Sequence, residues 1–355
     1  MTTRERILAV LYGRELDRIP VLQYDNLILP NERFWDLYGR DKVGILHRST
    51  MVKTVSKSCS IESSAFTEGR LNGCYNEIRT PKGNIREKVL FDPALNSPSR
   101  AEHFISNAAD YEILLEYLND LTVVEDRNRF LTCREYVGDN GIPMVCTNRT
   151  PFQQMWVSWV SLEDLCIDLV DHADIVEACM QRLSDIEVEK YKLTARLQKE
   201  VPFEIFNFPD NITAPAIGKS YFKKYCISHY NKAKEILDND SLTISVHMDG
   251  DFKVFSDDIK TSAINAIESF TPSPDSDMTI SDVLALRDNM KALVNYTSSV
   301  HLLSKDKIYQ HAIDLLNEGA KTGKMWFQFT EDIPPDRREA NIAVILKAVD
   351  DFYCE

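Results

Sequence analysis

LTISVHMDGD, spanning Leu242 to Asp251, opens on a strand, Leu242 to His247, that ends on chemistry. Leu242, Ile244 and Val246 alternate with Thr243, Ser245 and His247, which is the period of a β-strand. The run stops at Gly250, a residue that accommodates a turn. Residues two apart on a strand share a face, so His247 and Asp249 point the same way at its carboxyl end. An imidazole beside a carboxylate can ligate a metal or move a proton. A buried histidine bonded to a loop aspartate gives the same pattern.

Outward from this stretch the chain alternates. Strands are expected at Phe203 to Phe208, Ala266 to Phe270, Lys291 to Tyr296 and Met325 to Phe329, with helices between them and a closing helix at Asn341 to Phe352. Upstream, Pro143 to Thr147 reads as a strand and Phe152 to Val170 and Ala173 to Lys199 as helices. Thr2 and Glu5 fit a capping box that opens an N-terminal helix, which Gly13 ends. Ile19 to Gln23 then reads as a first strand. The segment to about Met51 reads as short helices, and Thr54 to Ile61 as a weakly marked second strand. Ser99 to Asn119 and Thr122 to Val137 read as acidic helices. Eight strands, most followed by helices, predict an α/β fold, a single (β/α)8 TIM barrel over residues 1–355. The N-terminal helix and a β-hairpin at about 70–92, turning at Thr80-Pro81-Lys82-Gly83, are additions to it.

Composition narrows the function. The 355 residues can bury a large core, and a net charge of -14 argues against a nucleic-acid footprint, which needs a basic face. No apolar run has the length of a membrane span, and the N-terminus reads as a helix rather than a signal peptide. The eight cysteines form no C-x-x-C pair and read as reduced thiols of a cytoplasmic protein. Phosphate-cradling glycine motifs are missing, as are H-E-x-x-H and G-x-S-x-G.

Barrel chemistry gathers where strands run into their following loops. Those positions offer Tyr24, Asn148, Asn207, Asp210, His247, Asp249, Glu268, Phe270, Asn295, Tyr296, Gln328, Thr330, Glu331 and Asp332. One histidine among many oxygen ligands suits a divalent metal, zinc above all. The expected ligand set is His247, Asp249 and Glu331, with Asp210 and Glu268 as substitutes. Asp210, Asn207 and Asn295 are the candidate catalytic or positioning residues. Tyr24, Asn148, Glu268, Phe270 and Tyr296 are the candidate substrate contacts.

The opening T-x-R-E-R-I-L-A-V-L-Y-G-R-E-L-D-R-I-P-V resembles the start of the uroporphyrinogen decarboxylase superfamily. So do the Thr80-Pro81-Lys82-Gly83 hairpin, Thr150-Pro151-Phe152, Val246-His247-Met248-Asp249-Gly250 and Phe270-Thr271-Pro272. The order of these segments is most similar to the corrinoid-dependent methyltransferase branch. That resemblance implies a TIM barrel, zinc, a small methylated donor (a methoxylated aromatic or a methylamine) and a corrinoid carried by a partner protein. Homodimerisation is left open. Members of that branch carry His-x-Cys at this strand end and a later Cys. Here His247 matches, Asp249 replaces the first Cys, and Thr330 and Glu331 stand near the second. The decarboxylases carry an early arginine-bearing segment, where this chain has Gln23-Tyr24-Asp25-Asn26-Leu27. Metal-free decarboxylation of a small carboxylic acid is the alternative.

Overall fold

The computed structural model describes residues 1–92, 98–331 and 333–354, so Asp332 lies outside the described residues. The chain divides into two compact units, one of residues 1–51, 126–146 and 195–355, the other of residues 52–125 and 147–194.

The first unit contains a closed parallel barrel of eight strands. They are β1 (Val21–Tyr24), β2 (Val43–Ser49), β3 (Gly141–Val145), β4 (Ile205–Phe208), β5 (Thr243–His247), β6 (Ala266–Phe270), β7 (Lys291–Asn295) and β8 (Met325–Phe329). Each pairs with its sequence neighbours and β8 closes on β1, with Val21 opposite Phe327. This is the (β/α)8 fold the alternation predicts. The second strand is the exception. It is Val43–Ser49, in a segment expected to be helical, whereas Val52–Val55 pairs antiparallel with Thr122–Glu125 in the other unit.

Strand alternation sorts the barrel interior into layers. Leu22, Leu46, Ile142, Ile205, Ala266, Leu293 and Trp326 form one buried cluster, joined by Ile7, Val10 and Leu11 of the first helix, α1 (Thr3–Tyr12). That helix starts on the expected capping box and ends at Gly13, whose φ of 62° is left-handed. Two residues further along β1, β2, β4, β6 and β8, the apolar layer gives way to Tyr24, Arg48, Asn207, Glu268 and Gln328. The polar layer therefore sits at the carboxyl ends of the strands.

The second unit holds a four-stranded antiparallel sheet of Ser60–Glu68, Leu71–Thr80, Gly83–Phe91 and Ser99–Glu102. The expected hairpin is its middle pair. Ser99–Glu102 and Thr122–Glu125 are strands rather than helix, so the two acidic helices shorten to Asp110–Asp120 and Arg127–Val137. Phe152 to Val170 is not continuous. Pro151–Gln154 runs into a wider turn over Met155–Trp159, and a new helix, Leu162–Asp171, starts where Ser161 caps the amide of Asp164. No helix among the described residues is long and apolar enough to cross a membrane. All eight cysteines are free thiols.

Candidate active site

Glu268 anchors the polar layer. Its side chain is fully buried, and its two oxygens accept from donors on five other strands. Oε1 takes the Tyr24 hydroxyl at 2.5 Å and Gln328 Nε2 at 2.7 Å. Oε2 faces His247 Nδ1 at 3.0 Å, Arg48 NH2 at 3.2 Å and Asn207 Nδ2 at 3.5 Å. Burial alone favours the neutral acid, yet His247, Arg48 and Tyr24 hold the carboxyl well below the usual carboxylate range. A charge this deep persists because its hydrogen bonds offset its desolvation.

Strand register builds the pair. His247 of β5 lies directly opposite Glu268 of β6. Immediately after Glu268, β6 breaks its pairing with β7, and Ser269 sits at φ 55°. Such a conformation is costly for a residue with a Cβ and marks strained backbone beside a functional group. The Ser269 hydroxyl meets Thr330 Oγ1 at 2.5 Å, and the Thr330 amide donates to Asn295. Gln328 is locked from below, its Oε1 accepting from Trp326 Nε1 at 2.6 Å. The loop after β5 packs closely because Gly250 has no side chain. A Cβ there would stand 2.4 Å from the Thr213 hydroxyl oxygen.

His247 bridges two acids. Its Nδ1 faces Glu268 and its Nε2 lies 3.4 Å from Asp249 Oδ2. Burial works against the imidazolium, but the bonds to Asp249 and Glu268 prevail and raise the pKa above its ordinary value. Burial also opposes the Asp249 charge, and His247 holds that carboxyl below its usual range. Arg48 NH2 touches the Tyr24 hydroxyl at 2.6 Å, and its guanidinium carbon lies 4.4 Å over the Tyr24 ring. Burial raises the Tyr24 phenol well above its ordinary range, so it donates rather than ionises. Side-chain exposure grows from 0% at Glu268 to 12% at His247 and 35% at Asp249, so the array opens to solvent on the Asp249 side.

The expected residues divide. Tyr24, Asn207, His247, Asp249 and Glu268 come together. Asn207 bonds Ser245 Oγ at 2.9 Å and keeps a buried carbonyl oxygen without a partner. Asn295 is a buttress, bonding Thr271 and accepting from the Thr330 amide. Asp210 is fully buried and accepts from Tyr230 at 2.6 Å. Phe270 packs edge-on against Phe252, and the Tyr296 hydroxyl donates to the Ile308 carbonyl, so both face the helical layer instead of substrate. Asn148 belongs to the second unit, where it bonds Gln154 at 3.0 Å.

The expected zinc set is also revised. Glu331 is bonded by Ser298, while the two ring nitrogens of His247 face different carboxylates on opposite sides of the ring. Among the described residues no three His, Cys, Asp or Glu side chains form a group that could hold a metal. The donor set does not fit a three-ligand site of the kind zinc requires. Arg48 is the functional residue that the sequence reading missed, because β2 was read as helix.

Fold and site together define a (β/α)8 barrel with a buried, ionised hydrogen-bond array at the carboxyl ends of its strands. No family model matches this sequence, and no curated protein does. Among solved structures the chain is similar to a methyltransferase from Methanosarcina mazei, with a TM-score of 0.57 over 99% of both chains. At 14% identity that likeness carries the fold.

Proposed function

We propose that the chain is a methyltransferase of the demethylating kind, taking a methyl group from a small methylated donor and passing it to a corrinoid on a partner protein. The similarity to a methyltransferase barrel and the superfamily resemblance of the sequence support this reading. One observation carries it furthest: the His247 ring lies between the buried Glu268, 3.0 Å from Nδ1, and the more exposed Asp249, 3.4 Å from Nε2.

When bound, the corrinoid supplies the nucleophile. The chain's own residues act on the leaving group. As the methyl carbon departs, its bond pair passes to the donor heteroatom, which takes the Nε2 proton of His247. Asp249 orients that proton, and Glu268 stabilises the imidazolium from the other side. Arg48 and Tyr24 fix the Glu268 carboxylate, and the free carbonyl oxygen of Asn207 is an acceptor for a substrate hydroxyl or amine. A methoxylated aromatic gains most from this arrangement, because its phenolate leaves far better when protonated. A quaternary ammonium donor leaves as a neutral amine and gains nothing from an acid.

Zinc enters none of these steps, because the ligands do not converge. The alternative of metal-free decarboxylation draws on Arg48, whose buried Nε has no partner. That guanidinium is already committed to Glu268 and Tyr24, which favours methyl transfer.

The test is an anaerobic assay of the purified chain with reduced cobalamin and a panel of methoxylated aromatics, methylamines and small carboxylic acids. Consumption of the reduced-cobalt absorbance with a methoxylated aromatic, abolished in His247→Ala, is expected. Carbon dioxide release from a carboxylic acid, with no cobalt change for any donor, would establish the alternative.

A further inference from the structure

The opposite end of the barrel carries a second polar site. A cavity of about 290 Å3 lies among the amino ends of the strands, walled by Leu11 and Tyr12 of α1, Thr243, Asn265, Lys291 and Lys324. Lys291 is only 7% exposed, yet among the described residues no carboxylate forms an ion pair with it. Its Nζ donates to the Asn289 carbonyl at 3.1 Å, and Lys324 Nζ donates to the Asp288 carbonyl at 2.6 Å. An ammonium has three donors, so each lysine keeps two. Neither forms an ion pair among the described residues, although Asp240 and Asp288 also line the cavity. Asn265 turns its Oδ1 to the Ile244 amide at 2.8 Å, which leaves its NH2 as a further donor.

The electrostatics agree. Burial, then the charges of Arg287 and Lys324, push the Lys291 amine down to about 8, with no acid offsetting them. Arg287 spends its own donors on the carbonyls of Ser262 and Ile264. A buried cation is ordinarily paired, and in a chain of net charge -14 the buried Lys291 beside the half-buried Lys324 is conspicuous.

We infer that this cavity binds a small oxyanion with an apolar flank, its oxygens taken by Lys291, Lys324 and Asn265 and its body resting on Leu11 and Tyr12. The volume of about 290 Å3 admits a phosphate or a single-ring carboxylate. The amino face of such barrels serves stability rather than chemistry. Occupancy therefore clamps α1 to the strand ends and raises stability. The inference is independent of the methyl-transfer reading.

The full chain is titrated calorimetrically with sodium phosphate and, separately, with sodium benzoate at constant ionic strength, alongside thermal melts. At least one anion binds one-to-one and raises the melting temperature. Phosphate alone points to a phosphorylated or inorganic ligand, benzoate alone to a carboxylate. Lys291→Met weakens that binding at least tenfold while melting at or above wild type, since an unpaired buried charge has gone. Lys324→Met weakens it too, and carries the comparison should Lys291→Met not fold. Absence of binding by both anions, or binding undiminished in these variants, overturns the inference.

Discussion

Replacing Glu268 with glutamine probes the array at its centre. The carboxylate accepts from Tyr24, Gln328, His247 and Arg48 within 3.2 Å, two of these carrying charge. An amide keeps one acceptor oxygen and turns an NH2 toward groups that themselves donate. It also leaves Arg48 without its counter-charge. Removing one partner of a buried ion pair costs about 3–5 kcal/mol. At ~3 kcal/mol the folding equilibrium constant falls by about two orders of magnitude. The pH dependence adds a signature. Because the folded pKa of His247 is raised above the ordinary imidazole value of 6.5, its contribution is full below that value and is lost as pH rises through the folded pKa. The stability gap between wild type and Glu268→Gln is therefore wider at pH 6 than at a pH above the folded His247 pKa. Urea denaturation at both pH values measures it. A gap below ~1 kcal/mol, or one that widens with pH, would refute the claim that Glu268 is ionised and pairs with an imidazolium.

Further outcomes follow from the same contacts. Tyr24→Phe deletes the 2.5 Å bond to Glu268 and should cost roughly 1.5–3 kcal/mol in denaturation, with a loss of methyl-transfer activity. Asp249→Asn removes the acid on the open side and lowers the His247 pKa. The alkaline limb of the rate profile should then move to lower pH, a shift absent if His247 is not the acid. Asp210→Asn, which touches the Tyr230 contact, should reduce stability and leave the turnover number within a few-fold of wild type. Dialysis against a strong chelator should leave methyl transfer intact. Activity lost to the chelator and restored by zinc would contradict the reading of the ligand geometry.

The later strands are legible because each is a short, largely apolar run followed by a helical stretch. β6 and β8 have their expected ends, and β5 and β7 differ by one residue. His247 beside Asp249 was legible for the same reason. β2 was not. In Val43 to Ser49 the apolar run is short and gives way to His47, Arg48 and Ser49, and losing the strand loses Arg48 with it. Ser60–Glu68 escaped notice because nearly every residue on it is exposed and polar, which leaves no apolar face to read. The expected ligands His247, Asp249 and Glu331 do not gather into one group among the described residues, and Glu331 is held by Ser298. Sequence places His247 and Asp249 on one face, but cross-strand register places Glu268 on the far side of the ring. Two acids flanking an imidazole and two acids converging with it on an ion are the same residues in composition and different in geometry.

Direct observation of the His247 ring by nitrogen-15 NMR, titrated in wild type and in Glu268→Gln, probes the array most closely. The account predicts an imidazolium that persists above the ordinary histidine range and titrates at lower pH once Glu268 is neutralised. A ring already neutral at pH 6, or a titration that Glu268→Gln leaves unmoved, would contradict it.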